Sequence, residues 1–180
     1  MSAIDIKKLS YSCGDKESAK SAAKYLLGKY LCASKEGRIK RWCITEAEVY
    51  TDDEEFCYGK RKDEKEEVTK LFMSVGKWCV FNGMIMISCG TDSGCDNILI
   101  RGTDCIKGPC TIKESTLGTG KNSNKLNNNN ERDIIRRSRI WLEDRGVLVN
   151  ENDIVSLTRV KIPDKDKLRF KTKVLTYPFK

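Results

Sequence analysis

Histidine is absent from this 180-residue chain. That removes the commonest general base and the commonest activator of a nucleophile, and it excludes Ser-His and Cys-His catalysis. Acid–base chemistry near neutral pH must therefore fall on carboxylates, lysines, thiols or tyrosines. No apolar run approaches the ~18–20 residues that a membrane span needs. The opening Met1-Ser2-Ala3-Ile4-Asp5 lacks the basic-then-apolar layout of a secretory signal. The expectation is a soluble intracellular protein, nuclear in a eukaryote and cytoplasmic in a bacterium. Cys-x-x-Cys pairs are missing too, so Cys89, Cys95, Cys105 and Cys110, although close in sequence, make a poor zinc motif. No metal and no cofactor are expected.

What is present suits one core. A chain of this length with 39% hydrophobic residues needs no second domain, and residues 1–180 read as one unit with its core over 18–173. The nine cysteines are odd in number and mostly interrupt apolar runs, as Cys43, Cys79 and Cys89 do. They read as buried reduced thiols rather than a disulfide framework. The net charge is +8 and uneven: residues 1–70 hold 15 Lys/Arg against 14 Asp/Glu, residues 71–180 hold 19 against 12. A basic surplus in the later part suits a polyanion partner, and it serves solubility equally well.

The element pattern is α+β. Asp15 or Ser18 caps a predicted helix through Lys29 with Ala19, Ala22, Ala23, Leu26 and Leu27 as its apolar stripe. Strands are predicted at 31–33 and 39–48, and a charged, solvent-facing loop and helix at 51–70. Residues 78–87 give the clearest hairpin, with Asn82-Gly83 supplying two positive-φ positions between apolar strands. A buried strand is predicted at 98–101, a loop at 115–130 that is flexible toward its asparagines, a helix at 133–143, and short strands at 147–149, 155–162 and 168–173.

Two segments place charge inside apolar strands. Ile44-Thr45-Glu46-Ala47-Glu48-Val49-Tyr50 buries carboxylates, and Ile98-Leu99-Ile100-Arg101-Gly102 ends on a guanidinium. A carboxylate in such a setting is costly to desolvate unless it has a partner or a job. With strand alternation, Glu46 and Glu48 point to one face, and two carboxylates so close push one pKa upward.

In this order and spacing the two segments resemble the 3-methyladenine (alkyladenine) DNA glycosylases. Ser21-Ala22-Ala23-Lys24-Tyr25-Leu26-Leu27-Gly28-Lys29, Phe72-Met73-Ser74-Val75-Gly76, Asn82-Gly83-Met84, Ser156-Leu157-Thr158-Arg159-Val160-Lys161-Ile162 and Leu168-Arg169-Phe170 are similar to further motifs of that family. The resemblance implies a single compact domain with a curved, mostly antiparallel β-sheet core, flanking helices and a protruding β-hairpin. It also implies a monomeric, monofunctional glycosylase that excises alkylated purines from double-stranded DNA without a cofactor. By the same resemblance Glu46 is the general base and Arg101 helps to hold the attacking water. The residues alone read equally as a structural ion pair across two strands. A catalytically inactive relative that binds damaged or distorted DNA is the alternative function.

The remaining expectations follow the family pattern and mark departures from it. The hairpin of Asn82, Gly83 and Met84 is expected to enter the minor groove, but Asn82 stands where the family has its wedge tyrosine. Phe81 reads as a pocket aromatic or as core packing. Glu48, Cys57 and Cys89 fall at base-pocket positions. Glu48 there implies surplus negative charge that favours cationic lesions, or simply a carboxylate facing solvent. Gly118, Gly120 and Lys121 look like a worn phosphate loop, with Lys125 in a second register. Arg136 and Arg137, with their basic neighbours, read as a DNA-facing surface or a solvated helix face.

Overall fold

Asp15 accepts a hydrogen bond from the Ser18 backbone N–H and caps helix α1, Lys16–Leu26, which buries Ala19, Ala23 and Leu26. The helix stops three residues before the predicted end, because Leu27 turns extended and Gly28 takes φ +84°. That glycine is required. A Cβ on it would sit 2.9 Å from Val149 Cγ2 and 3.2 Å from the Val147 carbonyl.

The computed structural model describes residues 2–12, 14–35, 37–57, 73–81, 83–91, 94–117, 139–160, 162 and 166–172. Its strands are β1 Ser2–Ile4, β2 Tyr30–Lys35, β3 Arg38–Tyr50, β4 Trp78–Phe81, β5 Met84–Ser88, β6 Asn97–Thr103, β7 Arg139–Asp144, β8 Ile154–Leu157 and β9 Arg169–Thr172. Together they form one sheet in the order β1-β7-β2-β3-β6-β5-β4, with β9 also paired to β3 and β8 to β9. Every pairing between these strands is antiparallel. The result is a single compact α+β domain with a curled sheet. The long β3 makes this possible: its first half pairs with β2, its second half with β6 on one side and β9 on the other.

Period-2 alternation divides the side chains between two faces. Ile44, Ala47, Val49, Ile85, Ile87, Ile98, Ile100 and Phe170 join α1 in the main core, together with Ile112 of a second helix, α2, Pro109–Leu117. On the other face Tyr50, Cys57, Cys79, Met86, Cys95 and Leu99 form a smaller apolar cluster. Among the described residues six cysteines are buried free thiols, and burial pushes Cys79 up to about 12. Cys105 and Cys110 are exposed, and no cluster of three or more metal-capable side chains occurs among the described residues.

Several expectations change. Residues 139–144 are strand β7, not helix: Ile140 and Leu142 pair with Ala33 and Leu31 of β2, and Leu142 also with Ile4 of β1. Sheet pairing overrides a locally helical spacing here. Residues 147–149 run outside any strand, with Val147 buried beside Gly28 and Leu148 93% exposed. Residues 115–117 complete α2 rather than begin a loop, and the rest of the predicted loop lies outside the described residues. The 51–57 turn is not wholly solvent-facing, since Thr51 and Cys57 are buried. Of the strand predicted over 155–162, residues 155–157 form as part of β8, while 158–160 and 162 lie outside any strand and 161 is outside the described residues.

Candidate active site

Glu46 and Glu48 share the face of β3 opposite the main core, as alternation requires. Arg101 reaches both because the β3–β6 ladder is irregular. Ile44 pairs with Thr103, Glu46 with Gly102, and Ala47 with Ile100, so Thr45 and then Arg101 are extra residues in successive bulges. Bulges re-aim side chains, and this one turns the guanidinium onto the carboxylates. Gly102 permits the close approach, since a Cβ there would lie 3.1 Å from Glu46 Cβ.

Arg101 Nε stands 3.1 Å from Glu46 Oε1, and its Nη1 lies 3.3 Å from Glu48 Oε1. The Glu46 and Arg101 side chains are 17% and 20% exposed, so the pair borders solvent instead of being sealed. Glu48, at 1%, is sealed. It accepts hydrogen bonds from Arg101 Nη1 at 3.3 Å, from the Tyr50 hydroxyl at 3.1 Å and from the Val160 backbone N–H at 3.4 Å. Its pKa is raised, chiefly by burial, against the opposing pull of Arg101 and the Tyr50 hydrogen bond. The upward shift expected from paired carboxylates falls on Glu48, but its leading cause is desolvation. Glu48 therefore neither faces solvent nor lines an opening; it supports Arg101 from beneath.

Arg169, of the motif Leu168-Arg169-Phe170, is a member of this group that sequence reasoning left without a role. It stands directly opposite Glu48 on β9, and its Nε lies 3.3 Å from Glu46 Oε1. Its own signal was a charged residue between Leu168 and Phe170, both buried in the main core. Two carboxylates and two guanidiniums are thus gathered here, which overturns the expected surplus of negative charge. Lys171 stands opposite Glu46 and is exposed at the rim. Arg159, which is buried, is a further cation that was missed. It forms a two-pronged pair with Glu54, donates to the Val49 carbonyl at 2.9 Å and lies over the Tyr50 ring. It thereby ties the 51–57 turn to the end of β3.

The other sequence candidates separate. Cys57 belongs to the apolar cluster on the Glu48 face, its thiol donating to the Cys95 carbonyl at 3.0 Å. Cys89 follows Ile87 into the main core on the opposite face, where burial pushes its pKa up, so it does not join Glu46. Met84 packs on the cluster of the Glu48 face, and Phe81 pairs with it across the hairpin. Gly83 turns that hairpin at φ +73°. Asn82, Gly118, Gly120, Lys121, Lys125, Arg136 and Arg137 lie outside the described residues.

A buried-edge carboxylate held by guanidiniums on the open face of a curled sheet is suited to activating water. The model of the methylpurine-DNA glycosylase family matches residues 14–176. The chain belongs to that family. Membership makes it a DNA glycosylase of base excision repair, a hydrolase of N-glycosyl bonds whose substrate is DNA. No curated protein matches the chain. Among the described residues no helix is long and apolar enough to cross a membrane.

Proposed function

We propose that this glycosylase releases alkylated purines of the 3-methyladenine type from double-stranded DNA by direct hydrolysis, acting as a monomer and without a cofactor. Removing such a base generates oxocarbenium-like positive charge on the sugar. A nearby carboxylate both stabilises that charge and takes a proton from the attacking water. Glu46 has this role, and Arg101 orients it. A purine nucleotide alkylated at ring N3 or N7 already carries positive charge and its base departs neutral, so the step needs no histidine to protonate the leaving group. The nucleotide must first be flipped from the duplex at a cost of a few kcal/mol, and the β4–β5 hairpin is the element assigned to filling the gap.

The observation that carries this reading is the partly exposed Glu46 carboxylate 3.1 Å from Arg101 Nε, on the face turned away from the helix-backed core. The test is base release from methylated duplex DNA by the wild type beside Glu46→Gln. The expected outcome is release that falls by about 100-fold or more in the variant, with duplex binding retained. A second reading, an inactive relative that binds damaged or distorted DNA, is favoured by Asn82, which cannot stack as a ring does. Tight binding with no release by the wild type selects it.

A further inference from the structure

Arg101 is divided between two carboxylates, Nε toward Glu46 and Nη1 toward Glu48. One guanidinium shared by two acids leaves a negative charge uncompensated, which is costly because Glu48 is sealed from water. The second cation comes from a different part of the chain. Arg169 on β9 stands opposite Glu48 and brings Nε to 3.3 Å from the same Glu46 oxygen, Oε1, that Arg101 contacts. Its side chain is 19% exposed, yet Nε itself is closed to solvent and lacks the alignment of a hydrogen bond. The contact with Glu46 is therefore one of charge and not of direction. Among the described residues, the groups facing the two carboxylates are Arg101 from β6, Arg169 from β9, the Tyr50 hydroxyl from β3 and the Val160 N–H beyond β8, with Lys171 exposed at the rim.

We propose that Arg169 is a positioning residue for Glu46: it supplies the second cation that the paired carboxylates require and holds Oε1, leaving Oε2 to meet the water. This rests on the glycosylase reading above. Without Arg169, Glu46 and Glu48 compete for Arg101, and the base is drawn from its working geometry. Misplacement of that kind lowers rate more than binding.

Single-turnover release from methylated duplex, at about pH 8 where carboxylates are ordinarily ionised, is measured for the wild type, Arg169→Gln, Arg169→Lys and Arg169→Gln/Glu48→Gln, with duplex Kd alongside. Arg169→Gln is expected to lose on the order of 10- to 100-fold in rate with little change in Kd. Arg169→Lys keeps the charge and is expected to stay within about 5-fold of the wild type. The double variant, relieved of the second carboxylate, is expected to regain about 10-fold over Arg169→Gln. An Arg169→Gln rate equal to that of an active wild type overturns this inference alone. So does loss that neither Lys nor the added Glu48→Gln relieves, including loss through misfolding. A wild type that releases no base overturns the functional reading and this inference with it.

Discussion

Glu48 shows how one side chain can be legible as unusual and still be misjudged. Its place in an apolar strand marks it as a group with a partner, but the partner's direction depends on what packs above it. The structure closes that side with Val160 and Tyr50 and leaves Arg101 as the cation in contact. Because burial raises its folded pKa above the unfolded value, Glu48 favours the folded state most below the ordinary carboxylate range, and that contribution is lost as pH rises through the folded value. Glu48→Gln removes the titration and keeps an acceptor for Tyr50. The stability of Glu48→Gln relative to the wild type is therefore expected to improve as pH rises from about 4 to 8. Melting temperatures of both proteins across that range check it; a constant difference would mean that the Glu48 pKa is not raised on folding.

At the scale of elements, the parts read correctly were those whose cause is local. α1 has its cap and apolar stripe, the hairpin has Asn-Gly between apolar runs, β3 has the alternation of Glu46 and Glu48 with Ala47 and Val49, and β6 has its continuous apolar run. β7 failed for a non-local reason. Its strand character comes from pairing with β2, more than a hundred residues earlier, and with β1 at the other end of the chain. Arg169 belongs to the same class, since only the β9–β3 pairing brings it to Glu46. The junction after α1 is also an element-scale feature. Gly28→Ala places a Cβ against Val149 and Val147 at a positive φ, and is expected to destabilise the fold by roughly 2 kcal/mol. Urea unfolding would show this as a lower midpoint at unchanged slope.

At the scale of the molecule, the curled sheet turns one face to α1 and α2 and the other to the acid–guanidinium group, so strand alternation, reset at the β3–β6 bulges, separates core from chemistry. The net charge of +8 is a property of the whole chain. In a DNA-binding hydrolase it predicts binding dominated by released counterions. With about four phosphates neutralised, affinity for undamaged duplex is expected to fall about 100-fold between roughly 50 and 200 mM salt. Fluorescence anisotropy across that range measures the slope; a flat response would return the charge to a solubility role.

Order along the chain sufficed for the class of fold, for a carboxylate and a guanidinium out of place in apolar strands, and, through short motifs, for the family that uses them. The first two are properties of neighbours within a few residues, which composition and periodicity report; the family came from the resemblance of its motifs. Folding alone settled that Glu48 lies sealed under Arg101, that Cys89 points into the core and that Arg169 closes on Glu46. Each depends on which strands lie side by side, and that pairing is chosen by the burial of the entire sheet rather than by any local run of residues.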